Sequence, residues 1–422
     1  MHASAAVTGA TSTAASGVPV EPPPPLPPPP SAETAVTPPH PTAVVTAKQT
    51  TTDETRALSL SMDVLSKTLD TASVHPRQAA PNIPPRLDIP WGIDDARRAM
   101  KTRRFGRMGT DVSEIGTGMW GMVSWSGADL DEARRALQRA VDRGCTFFDT
   151  AFAYGDGKSE QLLGELVRAN PGKRLFTATK VPPKNRRWPA KPEHTLDESY
   201  PPDYVESYLK RSLENLGLPR VDLFQFHTWQ DAWLADARLP RTIERLRADG
   251  LVGGVGISLN RWEPWNGVEA VRLGLVDAVQ VIYNVFDQNP EDQLFPACEA
   301  ADVAVIARVP FDEGSLTDTL TRTSKWPRGD WRNLYFCAEN LEPTIDRVER
   351  LRPLVPAGQT MASMALRFIL DNPTVSTVIP GMRKLAHVDA NLAVSDAGPL
   401  PERLRGELRA HRWDRLPTAW SF

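Results

Sequence analysis

The chain has 422 residues, 41% of them apolar, with 49 Lys and Arg against 52 Asp and Glu for a net charge of −3. That balance leaves no basic footprint for nucleic acid or an anionic membrane, and no apolar run approaches the ~20 residues of a membrane span. The cysteines Cys145, Cys298 and Cys337 are odd in number and widely spaced, which argues against a disulfide framework and suits a reduced, cytoplasmic protein.

In chain order, proline dominates first: 17 of the 39 prolines precede Trp91, and the segment Pro22 to Pro30 is almost pure proline. Such a run forms polyproline II rather than core. Only a weak helical patch near residues 58–69 interrupts it. Residues 1–100 are therefore expected to be a disordered extension. No Lys or Arg precedes Lys48, so no secretory signal is expected. Met100 is a plausible native start, which would make the extension a mis-assigned start or a linker-like addition.

From Lys101 to the end, strand-like and helix-like runs alternate. The apolar runs Val112–Gly118, Thr146–Ala151, Leu175–Lys180, Val221–His227, Val252–Ser258, Ala278–Asn284, Val303–Val309 and Ser376–Ile379 are short and β-branched. Continuous apolar strands of this kind are covered on both faces. Between them, acids at Asp129, Asp131 and Glu132 open a helix that Gly144 ends. Ser159 is the expected N-cap of a helix over Glu160–Ala169. Asp203–Leu216, Arg241–Ala248 and Met361–Leu370 are further helices. Eight such units predict an α/β fold, a (β/α)8 barrel of the TIM type, with its chemistry on the loops after the strands. An open doubly wound sheet competes, but no G-x-G-x-x-G stands between a strand and a helix.

Four side chains stand at the ends of three successive units: Asp149, Tyr154, Lys180 and His227. On parallel neighbours they converge at one end of the sheet. A phenol releases a proton near neutral pH only if its pKa of about 10 is lowered, and a nearby ammonium held by a carboxylate does that. Alone, each has a blander explanation: a strand-end loop acid, a solvated lysine, an amphipathic surface tyrosine, a core histidine. Together and in order they point to chemistry. No metal is expected, since no two histidines outside the extension have ligand spacing. Trp188, Trp229, Trp233, Trp262 and Trp265 follow strands and would make an apolar pocket if several meet. Two long insertions, 182–202 and 312–340, are expected to be functional, the second as a lid over the site.

From Met100 to Leu392 the chain resembles the aldo-keto reductases, in the broad group that includes the potassium-channel β-subunits. The resemblance rests on Lys101–Arg107, Val112–Gly118, Asp149-Thr150-Ala151, Tyr154-Gly155-Asp156-Gly157-Lys158-Ser159-Glu160, the lysine and histidine strands, and Ile379-Pro380-Gly381-Met382-Arg383. It implies a barrel that binds NADPH without a Rossmann fingerprint and reduces an aldehyde or ketone, with the reverse reaction open. By that resemblance Tyr154 is the general acid, Lys180 and Asp149 tune it, and His227 orients the carbonyl. Ser258 and Gln280 would bind the carboxamide, and Tyr283 would stack on the nicotinamide. Leu259 stands where the family usually has Asn. Gly118 and Met119 match the first loop contact, and Arg308, Pro310, Gly314 and Leu316 the loop over the pyrophosphate. Gly381, Arg383 and Lys384 match the 2′-phosphate end, with His387 and Asn391 near the adenine. The adjacent cations after a Gly turn favour NADPH over NADH.

Two other functions stay open: a nucleotide-sensing regulatory subunit with little turnover, and docking of the Pro-rich extension to an SH3-like partner.

Overall fold

The computed structural model describes residues 100–123 and 127–415. The Pro-rich extension and its helical patch lie outside the described residues.

A short antiparallel hairpin, β1 (Thr102–Arg104) and β2 (Asp111–Ser113), leads into eight parallel strands. These are β3 (Thr117–Gly118), β4 (Phe147–Asp149), β5 (Phe176–Val181), β6 (Val221–Phe226), β7 (Val252–Ser258), β8 (Ala278–Ile282), β9 (Ala304–Arg308) and β10 (Val375–Val378). Each pairs with the next in sequence, and bridges Ile115 to Val378 and Gly118 to Gly381 close the first strand on the last. The sheet is a closed (β/α)8 barrel rather than an open doubly wound sheet.

The helices around it are α1 (Leu130–Asp142), α2 (Lys158–Ala169), α3 (Leu196–Ser199), α4 (Pro202–Leu216), α5 (Arg238–Ala248) and α6 (Val268–Arg272). They continue with α7 (Leu294–Ala301), α8 (Arg332–Tyr335), α9 (Ala338–Leu351), α10 (Met361–Leu370), α11 (Leu385–Leu392) and α12 (Glu402–Arg409). Asp129 caps α1 by accepting from the amides of Asp131 and Glu132, both at 2.9 Å.

Two expectations need correction. The run Val112–Gly118 is not one strand. It pairs with β1 through Ser113, then changes partner: the Val378 amide donates to the Glu114 carbonyl at 2.9 Å, and Gly116 donates to Val378 at 2.8 Å. The Glu114 carboxylate accepts from Arg103 Nε at 3.2 Å and Ser395 Oγ at 2.7 Å, which anchors the chain where it switches. Nor does Ser159 cap α2. The cap is Gly157, with φ +91°, and a Cβ there would lie 2.3 Å from Asn215 Nδ2. Ser159 is buried within the first turn, its Oγ 2.8 Å from Thr150 Oγ1.

The hairpin plugs the N-terminal end of the barrel. Phe105, fully buried, packs its ring 5.5 Å from Phe147 and 4.8 Å from Phe176. With Leu223, Ala278, Ala304 and Ile306 these rings form an apolar interior cluster. The larger core lies between barrel and helices. One end is thus sealed with hydrocarbon, and the interior turns polar only toward the C-terminal ends of the strands.

Candidate active site

At that polar end Asp149 closes β4 and Lys180 lies near the end of β5, both buried. Lys180 Nζ donates to Asp149 Oδ2 at 2.5 Å and to the Thr150 carbonyl at 2.9 Å. The other carboxylate oxygen accepts from Gln225 Nε2 at 3.1 Å and Gln280 Nε2 at 2.9 Å. Asp149 is thus paired and fully hydrogen-bonded, the condition under which a buried charge is tolerated. Gln225, missed from the sequence, joins Asp149 to the β6–β8 wall. A polar residue inside the apolar run Leu223-Phe224-Gln225-Phe226 was the signal for it.

Tyr154 reaches this pair from the loop after β4, held by its amide on the Ala151 carbonyl at 3.0 Å. Lys180 Nζ lies 5.2 Å from the centroid of its ring. Burial pushes the phenol above its ordinary value, and the Lys180 cation pulls the other way. The lysine therefore moderates the rise rather than bringing the phenol below its ordinary range, as the sequence had suggested. The imidazole of His227, just past β6, stands edge-on to Tyr154 with ring centroids 5.6 Å apart. Burial first, then the Lys180 and Arg308 cations, hold His227 far below its ordinary range. It is neutral at neutral pH and carries one N–H to donate. Its Nδ1 is buried without a partner among the described residues.

These groups face a cavity of two connected parts, about 260 and 600 Å³. Both parts share Tyr154, Trp188, His227, Gln280, Arg308 and Glu313. Ser258 lines the inner part, while Gly118, Pro310, Gly314 and Gly381 line the outer. Trp120, Trp188 and Trp331 form its rim, the rings of Trp120 and Trp331 being 5.6 Å apart. Of the tryptophans singled out, Trp188, Trp229 and Trp262 line the cavity, and Trp233 and Trp265 do not.

Other expected contacts lie elsewhere. Tyr283 does not reach the cavity. Alternation along β8 turns Gln280 inward and Tyr283 outward, where its ring packs on Phe295 and Phe368 and its hydroxyl donates to Glu291 at 2.5 Å. Stacking on a nicotinamide is therefore closed to it. The Met119 and Leu316 side chains are wholly buried in the core, which leaves their backbones for any contact. Arg383, Lys384 and His387 stand at the start of α11, half-buried or exposed, and Asn391 is buried further along it.

The second insertion, 312–340, folds over the cavity on a hydrophobic cluster in which its Tyr335 and Phe336 meet Leu341 and Ile345 of α9, and against which Trp262, Trp326 and Trp331 pack. A buried charged group ties it down. Arg261 lies 3.6 Å from Asp287, 3.6 Å from Asp312 and 3.5 Å from Glu313. Arg415 lies 2.8 Å from Asp312 and donates to Tyr335 at 2.5 Å. None of this group was read from the sequence.

Comparison with known proteins agrees with this architecture. The family model for the aldo/keto reductase family matches residues 114–412. The chain is 27% identical over 301 residues to the aldo-keto reductase yakc of Schizosaccharomyces pombe, whose name carries NADP(+); the match covers 69% of this chain and 86% of that one. It is 26% identical over 308 residues to an NADH-specific methylglyoxal reductase of Escherichia coli, covering 70% and 93%. The solved glycerol dehydrogenase AKR11B4 from Gluconobacter oxydans superposes with a TM-score of 0.61 at 24% identity, covering 74% of this chain and 95% of that one. A barrel closed in this order, with a lysine–aspartate pair beneath a tyrosine and a histidine, accounts for that match: the chain belongs to the aldo/keto reductase family of oxidoreductases.

Proposed function

We propose that the protein reduces an aldehyde or ketone to the alcohol with NADPH, Tyr154 serving as the general acid. The observation that carries this reading is the phenol of Tyr154 standing over a buried Lys180–Asp149 pair and beside a neutral His227, all on one cavity.

The donors on the cavity wall suit an amide-bearing ring. Ser258 and Gln280 lie on one side, and His227 Nδ1 and Arg308 Nε are buried polar atoms without a partner among the described residues. Ser258 and Gln280 would hold the carboxamide. Gly118, Pro310, Gly314 and Gly381 would leave room for the phosphates, and Gly381 has no heavy atom within 4 Å of a Cβ position. Arg383 and Lys384, at the head of α11, would take the 2′-phosphate and so favour NADPH. The bound nicotinamide supplies the hydride.

The chain's own task is to meet the negative charge that grows on the carbonyl oxygen. His227 donates its N–H to that oxygen and orients it. Tyr154 gives its proton to the same oxygen, and Lys180 stabilises the phenolate left behind. Burial keeps the phenol protonated in advance, the state a reductase needs at the start of turnover. The apolar rim of Trp120, Trp188 and Trp331 would shield the transfer from water.

The test is loss of NADPH absorbance across an aldehyde and ketone panel, with Tyr154→Phe beside wild type. The variant should lose at least about 100-fold in kcat while still binding NADPH. Turnover unaffected by the substitution would remove Tyr154 from the chemistry. Tight NADPH binding with no turnover by wild type would favour a nucleotide-sensing subunit.

A further inference from the structure

Three polar side chains share one region of the barrel interior. Asp149 on β4, Gln225 on β6 and Gln280 on β8 project from alternate strands, the pattern by which such a barrel fills its inside, normally with branched hydrocarbon. All three are buried. Gly256 on β7 makes room for the middle one, since a Cβ there would lie 3.0 Å from Gln225 Cγ. Gln225 lines neither part of the cavity, yet burying an amide is costly unless its groups are hydrogen-bonded. Whatever it contributes must pass through its neighbours.

The chemistry of the three fixes which way each amide points. Asp149 is half of an ion pair with Lys180, so its remaining oxygen only accepts. Both glutamines must therefore turn nitrogen toward Asp149 Oδ1, Gln225 at 3.1 Å and Gln280 at 2.9 Å. Gln225 Oε1 then lies 3.5 Å from Gln280 Nε2 and takes its second N–H. With both hydrogens committed inside the barrel, Gln280 has its amide oxygen left for the cavity, both parts of which it lines. Among the described residues nothing donates to that oxygen. Leu259, whose amide donates to the Gln280 carbonyl at 2.9 Å, offers the same wall only a hydrocarbon side chain.

We infer that Asp149 and Gln225 are positioning residues for the cofactor: they hold the Gln280 amide with its oxygen toward the cavity, so that this wall accepts an N–H of the nicotinamide carboxamide rather than donating to its carbonyl. This rests on the cofactor reading above. Asp149 serves Lys180 with one carboxylate oxygen and the cofactor wall with the other. The pair beside Tyr154 and the wall that orients the ring are one hydrogen-bonded unit, so a change at either end reaches the other.

The experiment compares two cofactors of equal charge, NADP+ and its 3-acetylpyridine analogue, in which a methyl ketone replaces the carboxamide and leaves no N–H. The readout is the ratio of their dissociation constants, measured by titration calorimetry without substrate. Wild type should bind NADP+ at least about tenfold tighter than the analogue. Gln280→Met should lower that preference by about fivefold. Asp149→Asn leaves Gln280 in place but offers it a donor as well as an acceptor, and should lower the preference by about as much. Gln225→Leu keeps the Lys180–Asp149 pair and should lower it by about threefold.

A general loss of packing weakens both cofactors alike, so the ratio separates positioning from mere support. If Asp149→Asn does not fold, the double variant Lys180→Met with Asp149→Asn carries no buried charge in the pair and gives the same reading. An unchanged ratio at Asp149 or at Gln225, with NADP+ still bound, would overturn the inference and leave the cofactor reading standing. Equal binding of the two cofactors by wild type would do the same. Binding of neither by wild type would overturn the cofactor reading itself, and this inference with it.

Discussion

The cavity is bordered by two buried ionic groups that differ in how the chain builds them. Lys180 and Asp149 project from neighbouring barrel strands and make a single 2.5 Å contact, completed by two amides. Arg261, Arg415, Asp287, Asp312 and Glu313 come from three loops and the C-terminal segment, and most of their contacts are long, 3.5 to 3.6 Å. The first group is set by strand register and lies beside Tyr154 and His227. The second holds a 29-residue insertion against the barrel mouth. Buried charge thus takes two forms in one small region: on rigid strands it stands beside the phenol proposed as proton donor, and on loops it fastens a wall.

The comparison breaks hardest at Lys180. Lys180→Met leaves Asp149 buried with only the Gln225 and Gln280 amides and should cost about 3–5 kcal/mol in urea unfolding, along with turnover. Adding Asp149→Asn removes the stranded charge and should recover most of that stability but none of the activity. A double variant as unstable as the single would show that the pair is not the source of the loss.

Arg415→Met tests the loop-built group. Against burial, Arg415 and Arg261 hold Asp312 below the usual carboxylate range, and Asp312 keeps Arg261 and the Ser315 hydroxyl (2.7 Å) when Arg415 is lost. The expected cost is smaller, about 2 kcal/mol, and local. Amide exchange should rise across residues 312–340 while β5 and β6 stay protected. Equal rises in both places would mean that the C-terminal segment supports the whole barrel rather than this wall.

The smallest effect concerns pH. His227 is held neutral in the folded state far below its unfolded pKa of about 6.5. Below that pH the unfolded chain takes up a proton that the folded protein refuses, so stability falls as pH drops from about 6.5, by up to ~1.4 kcal/mol per unit. Above it this group contributes no slope. His387 and His411 are also lowered, first by burial, and remain in both proteins. His227→Gln should therefore flatten, not abolish, the slope between about pH 5 and 6.5. Parallel curves for the two proteins would mean that His227 carries no depressed pKa.

The eight strands, their parallel order and the place of Asp149, Tyr154, Lys180 and His227 were legible in the sequence, because each depends on a local pattern. A buried strand is a short apolar run, and a side chain at its end emerges at the end of the barrel. What stayed hidden depends on partners far away in the chain. Val112–Gly118 reads as one strand, yet its hydrogen bonds go first to a neighbouring hairpin and then to a strand about 260 residues later, and only closure of the barrel decides where the change falls. Tyr283 looked like a wall of the site until the register of β8 turned it outward. The Arg261–Arg415 group has no local signature at all. Whether a buried charge is paired is settled by groups that folding brings from elsewhere, and periodicity carries no record of that.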